Sequence, residues 1–225
     1  MKSFSSFIKE GVHDPAKLKA IYLAGGPGSG KSEVIKHIKG DLGFKVVNSD
    51  DIFEWKMKKH DLNPKMPEAE THARDVVRTR AKELTAKKAE HYRHGRLGMI
   101  IDGTGKDYQD IQNHSEHLRN LGYDTHMIFV NTSLHVAHAR NKKRERSVPE
   151  HIVNKSWHDV QSNMGRFQKH FGPDKFHVID NNKEGGDPEA LHNLHKKVRH
   201  IATKEVENPI GKHWIRSEKN RIKRP

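Results

Sequence analysis

Ala20-Ile21-Tyr22-Leu23-Ala24-Gly25-Gly26-Pro27-Gly28-Ser29-Gly30-Lys31-Ser32 is the stretch that decides the fold. An apolar run fit for a buried strand passes straight into a glycine-rich turn, and a helical segment begins at Ser32. Residues Gly25 to Ser32 satisfy G-x-x-x-x-G-K-[ST] in the strand-to-helix setting that this pattern requires. Glycines let the main chain wrap an anion so that successive N–H groups point inward, and the following helix adds the positive end of its dipole. On this reading Gly25, Gly26, Pro27, Gly28, Ser29 and Gly30 cradle the phosphates of a nucleoside triphosphate. Lys31 reaches its β- and γ-phosphates and the Ser32 hydroxyl ligates magnesium, so ATP and Mg2+ are the expected cofactors.

Working outward, further apolar runs occur at Phe44-Lys45-Val46-Val47, Gly98-Met99-Ile100-Ile101, His126-Met127-Ile128-Phe129-Val130 and Phe176-His177-Val178-Ile179. With Ala20 to Ala24 they make five strands of a mainly parallel sheet. Helical patterns lie between them near 32–39, 51–60, 68–93, 108–121, 134–143, 150–171 and 188–203. This alternation predicts an α/β fold of three layers, with helices on both faces of the sheet and right-handed crossovers. Three strands end in polar clusters, Asn48-Ser49-Asp50-Asp51, Asp102-Gly103-Thr104 and Asp180-Asn181-Asn182, at the edge where open α/β sheets bind ligands.

The chain has 225 residues, which suits one catalytic domain over about 11–203 with short segments at either end, 1–10 and a basic tail at 204–225. Lys and Arg outnumber Asp and Glu by 42 to 29, a net charge of +13 that favours a polyanionic partner. Cysteine is absent, so thiol chemistry and thiolate metal sites are excluded. No run approaches the ~20 apolar residues of a membrane span, and the N-terminus lacks the apolar core of a secretory signal, so a soluble protein without a membrane partner is expected.

Binding a triphosphate does not by itself imply transfer. Asp50 and Asp51 follow the second strand, which should lie close to the phosphate loop, and a carboxylate there can accept the proton of an acceptor hydroxyl; Asp50 is the expected base, with helix capping the alternative role for either residue. Asp102 ends the third strand, where a carboxylate faces the metal, the acceptor or a lid arginine. The run Arg140-Asn141-Lys142-Lys143-Arg144-Glu145-Arg146, closed by Val148-Pro149, reads as a helical lid over about 140–150. Arg140 and Arg144 would share one helix face, Arg144 meeting charge on the transferring phosphoryl group and Arg140 lying near the nucleotide base or phosphates.

Together these motifs, spread over Ala20 to Asn182, resemble the polynucleotide kinase and zeta toxin branch of P-loop kinases. Asn48-Ser49-Asp50-Asp51 is similar to the Asn-x-Asp-Asp element that carries the catalytic aspartate of phage-type polynucleotide kinases. The lid run is similar to theirs, which implies a transition-state role for Arg144 and an orienting role for Asp102. Asp102-Gly103-Thr104 equally resembles the Glu-Gly-Thr of zeta toxins, which phosphorylate a nucleotide sugar. One departure matters: the arginine that grips the acceptor's phosphate three residues after the aspartate is Phe53 here.

The resemblance implies transfer of the γ-phosphoryl group to a hydroxyl of a nucleic acid, at a 5′ end or on a modified base. A nucleotide or nucleotide-sugar kinase and a nucleotide-switched nucleic-acid-binding protein are the alternatives. Residues 1–10, with Ile8-Lys9-Glu10 before Gly11, resemble the capsid-targeting peptides of T-even-like bacteriophages, which implies the cytoplasm of a bacterial host and packaging in a phage capsid; a short amphipathic helix is the other reading. From Lys212 to Arg224 the tail could hold a phosphate backbone with Trp214 free to stack, or be a solubilising tail. The pairs His91/His94, His114/His117, His135/His138 and His192/His195 share helix faces but read as surface histidines rather than a metal site.

Overall fold

The computed structural model describes residues 12–39, 42–64, 67–144, 147–183 and 186–223. Strands β1 (Lys19–Ala24), β2 (Lys45–Val47), β3 (Met99–Asp102), β4 (Asp124–Asn131) and β5 (Phe176–Asp180) form one sheet in the order β2-β3-β1-β4-β5, every pairing parallel. The helices are α1 (Lys31–Lys39), α2 (Ser49–Lys59), α3 (Thr71–His94, preceded by a 3-10 turn at Glu68–Glu70), α4 (Tyr108–Asn120), α5 (Leu134–Lys142), α6 (Glu150–Phe171), α7 (Pro188–Thr203) and α8 (Pro209–Lys223).

Because side chains alternate along a strand, each strand feeds two cores. Ile21 and Leu23 pack with Ile100, Ile128 and Val130 against α1 and α7, through Val34, Ile38, Leu194 and Val198. Ala20, Tyr22 and Ala24 face the other way and meet Phe129, Leu118 of α4 and Val160 and Phe167 of α6. Three layers result, as the near-continuous apolar strands demand. A smaller cluster of Phe53, Met57, Val77 and Ala81 joins α2 to α3 beside the sheet.

Two features depart from the sequence reading. The strand leading to Asp50 was expected close to the phosphate loop, yet β2 is at the sheet edge and β3 lies between it and β1. The long crossover through α2 and α3 returns the chain to the inner place, so Asp102, not Asp50, ends the strand next to β1. The basic segment after residue 203 is not a loose tail: residues 209–223 are helical, and Val206, Trp214 and Ile215 pack on the core. Trp214 is half-buried there rather than free to stack.

The docking of α8 rests on a buried ion pair at the start of the sheet. Lys19 Nζ donates to Asp124 Oδ2 at 2.8 Å, and both side chains are 2% exposed. Asp124 also accepts the N–H groups of Glu207 at 2.8 Å and Asn208 at 2.9 Å, while Lys19 donates to the Glu205 carbonyl at 3.2 Å. The backbones of Gly122 and Gly211 then meet directly: a β-carbon on Gly211 would overlap the Gly122 carbonyl.

Candidate active site

Residues 25–30 turn tightly between β1 and α1 at the C-terminal edge of the sheet. Gly25 N–H donates to the Thr104 carbonyl at 2.9 Å and Gly103 N–H to the Leu23 carbonyl at 3.3 Å, which ties the cradle to the segment after Asp102. Gly26 lies under Trp157 of α6, Pro27 turns the chain, and Gly28 faces the Ala137 carbonyl of α5. Lys31 opens α1, with its Nζ 2.5 Å from the Gly25 carbonyl, so the ammonium folds back across the loop. Ser32 follows in the first turn, exposed.

One carbonyl sets the shape of the loop. Ser29 O accepts from Asn181 Nδ2 at 2.7 Å, Thr132 Oγ1 at 3.2 Å and Arg140 Nη1 at 3.5 Å. A trans peptide is planar with C=O and N–H opposed, so pinning this oxygen outward aims the Gly30 N–H inward. Gly30 itself has φ +88°, and a β-carbon there would strike the Asn181 amide. Arg140 braces this wall from outside, donating also to the carbonyls of Asn181 and Lys183, each at 2.7 Å. Asn181 stood out from sequence only as part of the Asp180-Asn181-Asn182 cluster, with no role, and Thr132 not at all, because a short polar residue after a strand carries no distinctive signal. Asn181→Ala should remove one buried donor, worth ~1 kcal/mol, and raise the KM for ATP about fivefold with kcat little changed, measured by steady-state kinetics.

The four residues expected to act on the phosphoryl group converge electrostatically. The Lys31 ammonium is lowered from the ordinary lysine value by burial, opposed by the carboxylates of Asp102 and Asp50 and assisted by Arg144. The Asp102 carboxyl is raised by burial, with Lys31 opposing and Asp50 and Asp51 adding to the rise. Its Oδ1 is buried and has no hydrogen-bond partner among the described residues. A buried carboxylate oxygen without a partner is costly, and here its carboxyl feels the charge of the Lys31 ammonium.

That shift has a sign that can be checked. A carboxyl raised in the folded state disfavours folding when ionised; the penalty is full above its folded pKa and fades as pH falls toward the unfolded value. Asp102→Asn should therefore raise the melting temperature of the nucleotide-free protein at pH 8 and lose transfer activity. The thermal gain should shrink steadily as pH is lowered toward 5.

Neither aspartate of the Asp50-Asp51 pair is the helix N-cap. Asn48 fills that place, its Oδ1 accepting the Asp50 N–H at 2.8 Å, which sets Asp50 in the first turn of α2. The side chain of Asp50 is about half exposed (49%) and lies 4.0 Å from Arg78 Nη2 on α3. The same guanidinium sits 4.6 Å from the centre of the Phe53 ring. An arginine thus stands beside the candidate base although position 53 holds phenylalanine. It arrives from a different helix and no local motif marks it.

The run expected to form a helical lid is not helical throughout. Helix α5 ends at Lys142, so Arg144 lies in the bend beyond it and does not share a helix face with Arg140. The reason is Asn141, 2% exposed, whose side chain donates to the Val148 carbonyl at 2.6 Å and accepts the Val148 N–H at 2.9 Å. These two bonds close a loop and turn the chain out of the helix, leaving Arg144 exposed on its near limb. Glu145 and Arg146, and the segment 1–10, lie outside the described residues. Among the described residues no cluster of His, Asp and Glu has the make-up of a metal site, and no helix is long and apolar enough to cross a membrane.

A parallel five-stranded sheet with a glycine cradle after its central strand defines the P-loop kinase class of α/β proteins. The chain belongs to the zeta toxin family of P-loop kinases, whose sequence pattern it matches over residues 6–186. No curated protein matches it at a significant level. Among solved structures it is similar to a presumed kinase from Chloroflexus aurantiacus j-10-fl, at 13% identity and a TM-score of 0.56, over 82% of this chain and 98% of that one. It is also similar to AvrRxo1-ORF1:-ORF2 with ATP, at 14% identity and a TM-score of 0.59, over 76% of this chain and 57% of that one. The Pnkp1/Rnl/Hen1 RNA repair complex matches at 18% identity and a TM-score of 0.53, over 67% of this chain and 46% of that one. The chain thus spans about half the length of these last two. At such identities the likeness is one of fold.

Proposed function

We propose that the protein transfers the γ-phosphoryl group of ATP to a hydroxyl of a nucleic acid, at a 5′ end or on a modified base. The observation that carries this reading is that the Lys31 ammonium, at the end of the phosphate cradle, feels the charges of Asp102, Asp50 and Arg144, and the buried Asp102 carboxyl feels those of Lys31 and Asp50. In the proposed roles Lys31 grips the β- and γ-phosphates, and Asp50 takes the proton of the attacking hydroxyl. Arg144 swings with the lid onto the equatorial oxygens. The unpartnered Asp102 Oδ1 and the exposed Ser32 hydroxyl, next to Lys31 in the chain, are oxygen donors that fit Mg2+ entering with the triphosphate. Bound there, magnesium would neutralise charge on the phosphate oxygens.

An acidic acceptor is favoured by the cations around Asp50. Arg78 stands beside it, and Arg74, one turn earlier on α3, lines a cavity of about 500 Å³ shared with Asn141, Lys142 and Val148 of the lid. The net charge of +13 points the same way. A second reading, a kinase of a nucleotide or nucleotide sugar, is favoured by the family match over residues 6–186 and by Asp102-Gly103-Thr104.

Labelled γ-phosphate from ATP, offered in parallel to 5′-hydroxyl oligonucleotides, hydroxymethylated DNA and nucleotide sugars, separates the two. Label only in the small molecules would overturn the first reading, and release of free phosphate alone would overturn both. Arg78→Ala should raise the KM for the acceptor about tenfold, the loss of one charge-assisted contact of roughly 1.5 kcal/mol, while the KM for ATP stays put.

A further inference from the structure

The end of the sheet opposite the cradle carries a second cavity. Helices α7 and α8 and the segment before β1 meet at this N-terminal edge, separated from the cradle by the length of β1, about 20 Å for six residues. There they enclose a cavity of about 580 Å³. Five cations line it, Lys17, Lys204, Lys212, Arg216 and Lys219, against one carboxylate, Glu205. Lys204 is paired with Glu207 at 2.5 Å. Lys212, Arg216 and Lys219 are exposed, and their side chains make no hydrogen bond or ion pair with any described residue. They fall at i, i+4 and i+7, so they form one line along α8 over about 10 Å.

We propose that this groove binds the phosphate backbone of a nucleic acid, independently of the nucleotide site. Like charges gathered around a concavity repel one another and are stabilised only by a counter-charge; the Lys17 ammonium already lies below its ordinary value through burial and the charge of Lys219. A row of cations at successive turns matches a repeating anion rather than a single phosphate. The groove is concave and the half-buried Trp214 of α8 packs on the core, as does Ile215, which also lines the groove; this shape suits a strand better than a flat lipid surface.

The placement requires neither ATP nor transfer, so the kinase reading can fail while this one stands.

The test is fluorescence anisotropy of a labelled 20-nucleotide DNA, single-stranded and duplex, with the full chain and no ATP. The variant Lys212→Glu/Arg216→Glu/Lys219→Glu should lower affinity at least thirtyfold at 100 mM salt. The wild-type dependence of log K on log salt should lose about two to three from its slope, the share of three phosphate contacts. Lys212→Gln/Arg216→Gln/Lys219→Gln, which adds no repulsion, should show the same loss of slope with ATP binding and melting temperature retained. Equal affinity and slope in wild type and variants would overturn the proposal. So would loss of DNA binding in Lys31→Ala, which would place the DNA in the cradle, or binding to phosphatidylserine vesicles with none to DNA.

Discussion

Asp50→Asn is expected to lower phosphoryl transfer by about 10²- to 10⁴-fold, the range a positioned general base supplies, while ATP affinity changes less than twofold. The change is close to isosteric and the side chain is half exposed, so the fold is not at stake. Asp50 N–H bonds to Asn48 through the backbone and keeps α2 capped whatever the side chain. Arg78 then loses a charge partner at 4.0 Å but keeps its place over Phe53. Single-turnover transfer with bound ATP isolates the chemical step. Unchanged turnover would mean that the proton leaves by another route, with Asp51 the nearest carboxylate in the chain to test next.

The largest effect on stability is expected from Asp124→Ala. It strands the Lys19 ammonium in a site where both partners are 2% exposed, and it leaves the Glu207 and Asn208 N–H groups without their acceptor. Breaking one side of a buried ion pair costs about 3–5 kcal/mol, a large part of the roughly 5–15 kcal/mol that holds a domain together. In a chain of this size the melting temperature should fall by about 6–20 °C. Replacing both partners, Lys19→Met with Asp124→Leu, should cost much less, because no charge is then left buried. Amide exchange in 209–223 should accelerate first in the single variant, since Asp124 is what holds the connector between α7 and α8.

How much of this was legible without coordinates follows the range of each signal. The cradle is local, and Gly25 to Ser32 suffices to read it. So are helices with marked ends: Glu150 follows Pro149 and Pro188 follows Asp187, and α6 and α7 run over the expected residues. The order of the strands is not local, so nothing in Val46-Val47 says that β2 lies at the edge. Arg78 reaches Asp50 only because Phe53, Met57, Val77 and Ala81 pack α2 on α3. The Ser29 clamp joins three loops through Asn181, Thr132 and Arg140. Helix α8 hid behind its charge: apolar residues are sparse in it, and its docking depends on Asp124 and Gly122, far away in sequence.

The contact between Gly122 and Gly211 sets what can vary in this part of the protein. Where two main chains touch with no side chain between them, the seam tolerates no added methyl group on the α8 side, whereas the outward cations of the same helix take part in no packing. Lineages could retune or even invert the electrical character of that surface by single codon changes and still fold, but a one-carbon addition at position 211 would pry the helix away. Evolution of whatever this end of the molecule recognises is therefore uncoupled from the architecture that presents it.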